Sequence, residues 1–158
     1  MKLVISPHLD DEVLGCGGIL GPGDHVIYCG IDESTIKKEW VRPRPDTVTR
    51  RAEMEEVSAY LGFDHVLLNQ PVNHFTSGPL VDGFELTINT LKPDEVYIPH
   101  PSYNQDHKVV YAAAMIALRP HDINHFVKRV LVYEQPHLFW GSPDGLKYTL
   151  SSCILHPG

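Results

Sequence analysis

Short apolar runs alternate with longer segments of helical spacing along this chain of 158 residues. The apolar runs are typical of buried strands, and the spaced segments are typical of helices with one buried face. The runs predict strands at residues 2–6, 25–31, 65–69, 95–99 and 129–134, with a further short strand at 147–150. The spaced segments predict helices at residues 11–20, 47–61, 83–91 and 106–118. Gly62 is expected to end the second helix, and residues 73–82 are expected to form a polar loop.

This alternation predicts an α/β fold, with a Rossmann-like, mostly parallel sheet flanked by helices. Residues 1–158 are expected to form a single domain that can bury a core without disulfides. Ligands of such sheets bind beyond the carboxyl ends of the strands. Two polar clusters are expected at that edge, "HLDDE" after the first strand and "HPSYNQDH" after the fourth, with Asp32 and Glu33 after the second.

Charge and cysteine content exclude several classes of protein. The chain has 20 acidic and 13 basic residues, which argues against a nucleic-acid partner. Cys16, Cys29 and Cys153 are far apart and form no CxxC pair, so we expect reduced thiols. No segment resembles a signal peptide or is long and apolar enough to span a bilayer, so we expect a cytoplasmic protein without a membrane partner. The oligomeric state stays open, and a homo-oligomer is compatible with the sequence.

The first polar cluster indicates a bound cation. Three adjacent acids at a strand end repel one another and are costly to desolvate, so they need water or a cation. Imidazole and carboxylate ligands without thiolate suit Zn²⁺, with iron, cobalt or manganese as other divalent metals. His8 and Asp11 can point at one spot if the chain bends there. A third ligand from the second cluster would complete a catalytic site, which keeps one coordination position open.

Plainer interpretations exist for the same residues. The first cluster could be a solvated turn with a capping aspartate. Glu12 is interpreted as an acid at a helix N-terminus rather than a ligand. The glycines of "GCGG" lack a following lysine, so close packing explains them better than phosphate binding. Cys16 is expected to be a small buried residue, and His107 could be an ordinary residue at a helix start.

Several segments resemble a known family. "SPHLDDEVLGCGG" resembles the PHxDDE signature of the LmbE-like/PIG-L family of zinc-dependent N-acetylglucosamine deacetylases. "NQDH" resembles the second family motif, usually HxDH, and "RRAEMEEVSAYLG" and "LVYEQP" are similar to a family helix and a later strand. The resemblance covers most of the chain up to Pro136. It implies an LmbE-like deacetylase domain whose C-terminal part is short relative to the family.

The resemblance also implies roles for individual residues. Zinc would be bound by His8, Asp11 and His107, and Asp10 would be the general base beside the metal. Arg50 falls at the position of a substrate-binding arginine, although a surface helix residue is an equal alternative.

The second motif implies two further roles. Asp106 would orient the metal-site histidines. Asn104 replaces the usual first histidine, and it can donate a hydrogen bond but cannot deliver a proton. Asp10 would then carry both proton transfers, or a histidine such as His74 or His100 would assist.

We therefore expect a metal-dependent hydrolase that removes the acetyl group from an N-acetylglucosamine-type sugar or conjugate. One alternative is a sugar- or metal-binding relative without turnover, which Asn104 and the short C-terminal part would favour. Another is a haloacid-dehalogenase-like phosphatase, since paired aspartates follow the first strand. That chemistry needs the two aspartates separated by one residue and a downstream lysine, and "HLDDE" does not fit.

Overall fold

Parallel strands form the centre of the molecule. The computed structural model describes residues 1–34, 36, 43–119, 126–135 and 156–157. Over these residues the parallel strands are β1 (Lys2–Ser6), β2 (His25–Tyr28), β3 (Asp64–Leu67), β4 (Glu95–Pro99) and β5 (Arg129–Tyr133). They lie in the order β3-β2-β1-β4-β5, and the two-residue strand β6 (His156–Pro157) pairs antiparallel with β5. The predicted mostly parallel sheet is confirmed.

The direction in which strands are added to the sheet reverses at β1. The chain first adds β2 and β3 on one side of β1, and then adds β4 and β5 on the other side. Val4 of β1 therefore lies between Val26 of β2 and Tyr97 of β4. The connections diverge at such a switch point and leave a crevice at the carboxyl ends of the central strands. The segments that follow β1 and β4 are thus brought to the same crevice.

Helices cover both faces of the sheet. They are α1 (Asp11–Cys16), α2 (Thr47–Leu61), α3 (Ser77–Leu91) and α4 (Gln105–Ala117). Because successive side chains of a strand point to opposite faces, Leu3 packs with the buried residues of α3 and α4. Val4 packs on the other face, with Cys16 of α1 and Met54 of α2. The core is therefore two apolar layers, one on each side of the sheet.

Helix α2 has the bounds predicted from the sequence, and its two ends explain why. The Asp46 carboxylate accepts a hydrogen bond of 2.7 Å from the backbone N–H of Thr49. This bond satisfies a backbone donor that has no partner within the helix. Gly62 ends the helix in the left-handed conformation, with φ 81°. The predicted stop at Gly62 is confirmed.

Helix α3 begins earlier than predicted. Residues 77–82 were expected in a loop, but they form the first turns of a helix that starts at Ser77. Gly78 and Pro79 suggested a loop, yet proline is tolerated in a first helical turn because its missing N–H would have no helical partner there. Leu80 and Phe84 are fully buried one turn apart, and their packing holds this segment in the helix.

Several other elements are shorter than predicted. Helix α1 ends at Cys16 rather than at residue 20, and the N–H of Ile19 bonds to the Cys16 carbonyl three residues back, in a tighter turn than that of an α-helix. Strand β2 ends at Tyr28 rather than residue 31, and β3 ends at Leu67 rather than residue 69. The predicted strand at 147–150 lies outside the described residues.

The described cysteines are buried thiols that form no disulfide. Cys16 and Cys29 have no exposed surface and no disulfide, in agreement with the predicted burial of Cys16. Cys153 lies outside the described residues. Within the described part of the chain, no helix combines the length and the apolar composition needed to cross a membrane.

Gly15 provides a test of how α1 packs on the sheet. A Cβ atom at Gly15 would lie 2.2 Å from Cδ2 of Tyr133, a buried ring whose hydroxyl donates to the Ile5 carbonyl. The predicted close packing is confirmed at this glycine. We expect Gly15→Ala to lower the free energy of unfolding by about 1–3 kcal/mol, because the ring has little room to move.

Gly18→Ala is the matched control, since no atom lies within 4 Å of a Cβ at that position. Its effect should stay within about 0.5 kcal/mol. Denaturant unfolding of both variants measures the difference, and equal stabilities would show that α1 is not packed closely on Tyr133.

Candidate active site

Three side chains that could bind a metal meet at the crevice. His8 and Asp11 come from the turn after β1, and His107 comes from the first turn of α4. One ligand atom of each lies within 4.8 Å of the others. The Oδ2 atom of Asp11 is 3.4 Å from Nδ1 of His8 and 3.1 Å from Nε2 of His107. Two imidazoles and one carboxylate match the protein ligands of a catalytic zinc site, so these residues fit a divalent ion.

The charges around this cluster also favour a cation. Burial alone would raise the pKa of Asp11, but hydrogen bonds from His107 and His8 hold it well below its usual range. Burial alone would lower the pKa of His8, but its hydrogen bonds to Asp106 and Asp11 raise it to about 9. The cluster thus stabilises a carboxylate with positive charge beside it. A divalent cation would supply that positive charge.

Asp106 holds His8 from the side opposite Asp11. Its buried Oδ2 atom lies 2.8 Å from Nε2 of His8 and accepts a 2.6 Å hydrogen bond from the backbone N–H of Asn73. A ligand histidine commonly donates its second ring nitrogen to a carboxylate, which fixes the ring and the free nitrogen. Here Nε2 faces Asp106, so Nδ1 is the nitrogen that remains for a metal. This geometry suits the orienting role predicted for Asp106.

Asn104 stands at the N-terminus of α4. Its Oδ1 atom accepts a 2.8 Å hydrogen bond from the backbone N–H of Asp106. This bond caps the helix and fixes the orientation of the amide. With Oδ1 held by the helix, Nδ2 is the side-chain atom of Asn104 that remains for a ligand, and it can only donate.

Asp10 lies next to the three candidate ligands without joining them. Its backbone is left-handed, with φ 92° and ψ −27°, and its side chain makes no hydrogen bond that caps α1. The exposed carboxylate lies 3.8 Å from Nη1 of Arg50. Partial desolvation raises the pKa of Asp10, and the charge of Arg50 opposes that rise. A carboxylate beside a metal site can accept a proton from water.

Arg50 is held by acidic residues on two elements. Its Nη1 donates to Glu53 at 2.9 Å, and its Nη2 donates to Glu33 at 3.2 Å. Burial alone would lower the pKa of Arg50, but the hydrogen bond to Glu53 and the charges of Glu33 and Asp10 raise it. Arg50 is therefore an internal partner of carboxylates in this structure.

A pocket of about 270 Å³ opens over these residues. Its lining combines candidate site residues with apolar side chains from neighbouring loops: His8, Leu9, Asp10, Asp11, Leu14, Glu33, Ile36, Arg44, Arg50, Val72, Asn73 and Asn104. His74 and His100, considered above as helpers in proton transfer, do not line it. The pocket thus contains the predicted general base, two of the candidate ligands and Asn104.

Sequence reasoning did not identify the role of Glu12. Glu12 lies in the first turn of α1, as expected of an acid at a helix start, but it is also fully buried, which the sequence did not indicate. Its Oε1 accepts a hydrogen bond from the Tyr28 hydroxyl, and its Oε2 lies 3.2 Å from the Ser6 hydroxyl. Ser6 has one hydroxyl proton, and the His8 carbonyl, 2.6 Å away, can only accept it. The Ser6 hydroxyl therefore faces two acceptors with one proton, and burial raises the Glu12 pKa to about 7.

Asn73 was also missed. Its backbone N–H donates to Asp106, and its side-chain Oδ1 accepts from Gln105. The loop after β3 is thereby joined to the start of α4. A backbone donor has no sequence signature, so only the fold reveals this contact.

The fold and the side chains together define an α/β protein with a candidate metal-ligand set at its switch point. The model of the family described as "PIG-L: GlcNAc-PI de-N-acetylase" matches residues 3–118, so the chain belongs to the PIG-L family. No curated protein matches this chain.

Solved structures share the fold at low sequence identity. The A40926 pseudoaglycone deacetylase is 22% identical with a TM-score of 0.66, over 89% of this chain and 66% of that one. A zinc-inhibited form of teicoplanin deacetylase is 20% identical with a TM-score of 0.58, over 87% and 68%. The 4-carboxy-2-hydroxymuconate hydratase of Pseudomonas putida is 21% identical with a TM-score of 0.58, over 74% and 55%. The matched part of this chain thus spans about two thirds of each deacetylase chain and about half of the hydratase chain, and the likeness shows a common fold.

Removal of a candidate ligand should abolish metal binding. Asp11→Ala and His107→Ala each remove one of three donors, and we expect the affinity for Zn²⁺ to fall by more than about 100-fold. His74→Ala is the control, since His74 lies outside the cluster and is exposed. Calorimetry and metal analysis after dialysis measure the effect. Unchanged zinc affinity in both ligand variants would contradict the assigned site.

The buried hydrogen bonds of Glu12 with Ser6 and Tyr28 lead to a separate prediction. Glu12→Gln should fold with near-normal stability, because an amide can donate to Ser6 and accept from Tyr28. Glu12→Ala should lose about 1–3 kcal/mol, because it leaves buried polar groups without partners. Thermal and denaturant unfolding compare the two variants. A glutamine variant as unstable as the alanine variant would show that the ionised carboxylate is required.

Proposed function

We propose that this chain is a metal-dependent deacetylase that hydrolyses the N-acetyl group of an N-acetylglucosamine-type sugar or conjugate. The observation that carries the proposal is the cluster of His8, Asp11 and His107 beside Asp10, in a chain of the PIG-L family. The description of that family names the de-N-acetylation of an N-acetylglucosamine lipid. Two structural neighbours are deacetylases, which supports the same reaction class.

The residues around the pocket can divide the chemistry between them. A divalent ion held by His8, Asp11 and His107 would supply an activated water and polarise the amide carbonyl. Asp10 would accept the proton of the attacking water and pass it to the departing amine. Asp106 would keep the His8 ring in place through its contact with Nε2.

Asn104 would stabilise the negative charge that develops on the carbonyl oxygen. The Oδ1 atom of Asn104 caps α4, which leaves the Nδ2 group to donate a hydrogen bond to the substrate carbonyl oxygen. An amide cannot deliver a proton, which leaves both proton transfers to Asp10.

A sugar- or metal-binding protein without turnover is the second candidate. The observation that favours it is the amide at position 104, where the family motif usually has a histidine. Such a protein would bind zinc and an N-acetylated sugar without releasing acetate. Phosphate release with magnesium would instead indicate the phosphatase considered from the sequence.

Asp10→Asn tests the proposed base. The variant should retain zinc, because Asp10 is not one of the three candidate ligands. Its rate of acetate release from N-acetylglucosamine conjugates should fall by roughly 10²–10⁴-fold, the usual contribution of a general base. Asp82→Asn, an exposed carboxylate of α3, is the control and should keep the wild-type rate. Full activity of Asp10→Asn would refute the assigned base, and zinc binding without acetate release by the wild-type chain would favour the binding protein.

A further inference from the structure

The guanidinium of Arg50 is surrounded by carboxylates of the protein itself. Its terminal nitrogens lie 2.9 Å from Glu53, 3.2 Å from Glu33 and 3.8 Å from Asp10. The side chain is only 15% exposed, and its Nε atom is buried out of reach of a ligand, without a hydrogen-bond partner among the described residues. A guanidinium recognises a ligand through a fork of N–H donors, and both terminal nitrogens of Arg50 already donate to protein acids. Arg50 therefore has little capacity left for holding a substrate.

The contact between Asp10 and Arg50 matters more for the position of the Asp10 side chain than for that of Arg50. The Asp10 side chain is exposed and makes no capping hydrogen bond to α1. Among the described residues, Arg50 forms the one ion pair of its carboxylate. Arg50 has two further acidic partners that fix its position, one on α2 and one after β2. Arg50, which is held by two other acids, thus faces the exposed carboxylate of Asp10.

We propose that Arg50 is a positioning residue, which holds the Asp10 carboxylate for proton transfer and does not bind substrate. This inference rests on the proposed function, in which Asp10 is the general base. It differs from the role of substrate-binding arginine that the family resemblance implies for this position.

The architecture explains how Arg50 can act in this way. Arg50 and Glu53 are three residues apart on α2, a spacing that places them side by side on one helix face. Glu33 follows β2 and contacts the second terminal nitrogen. The Arg50 guanidinium is therefore held by α2 and by the loop after β2, and it reaches the turn after β1 from a fixed direction.

Steady-state kinetics of Arg50→Gln and Arg50→Lys, loaded with zinc, test the proposal. A residue that acts through the base should change kcat, whereas a substrate clamp should change KM. We expect Arg50→Gln to lower kcat about tenfold or more, with KM changed less than about threefold and zinc content unchanged. Arg50→Lys should recover part of kcat, since a lysine keeps the charge but not the fork. Arg51→Gln, the exposed neighbour on α2, is the matched control and should leave both constants unchanged.

A double-variant cycle separates direct from indirect action. If Arg50 acts through Asp10, the variant that combines Asp10→Asn with Arg50→Gln should be no slower than Asp10→Asn alone. The same four proteins give a readout without activity. The loss of melting temperature caused by Arg50→Gln should be smaller in the Asp10→Asn background, because the ion pair is already absent there.

Three results would overturn the proposal: a rise in KM with unchanged kcat in Arg50→Gln, independent losses of rate in the double variant, or no coupling in the melting temperatures. Failure of the proposed function has a different signature. A wild-type chain that binds zinc but releases no acetate would remove the deacetylase assignment, while the melting temperatures would still decide whether Arg50 holds Asp10.

Discussion

Two buried carboxylates hold the crevice together, because each is shared between segments that are far apart in the sequence. Asp11, after β1, faces imidazoles on its own turn and on α4. Asp106, on α4, contacts His8 after β1 and the backbone of Asn73 after β3. A buried carboxylate without partners would be costly, so each acid requires that the other segments be in place. Strand order makes this possible, because β1 and β4 are neighbours at the centre of the sheet.

The sequence predicted the fold class well where local signals and packing agreed. Strands β1 and β4 are apolar runs at the centre of the sheet, and their bounds are those predicted. Helix α2 carries its own capping residue and stop signal. Helix α3 was predicted too short, because Gly78 and Pro79 are common in loops while the burial of Leu80 is a tertiary effect. Burial of Leu80 therefore keeps this segment in the helix, although glycine and proline favour a loop.

The candidate site was partly predictable for a similar reason. The motifs placed His8, Asp11 and His107 at one edge of the sheet, and the structure brings them together. The burial of Glu12 on α1 could not be predicted, because it depends on a contact with Tyr28 of β2. The partners of Arg50 were hidden as well, since Glu33 lies 17 positions earlier and meets it only in the folded chain. Contacts between distant segments thus account for what the motifs left out.

The left-handed backbone at Asp10 restricts which residues can occupy that position. Aspartate and asparagine visit this conformation more readily than most residues other than glycine, because their short polar side chains can bond to the nearby backbone. Glutamate would keep a negative charge, but it lacks this advantage and would carry the charge one methylene further out. Main-chain geometry therefore selects the length of the side chain, while the role of a base selects its charge, and few replacements can satisfy both demands.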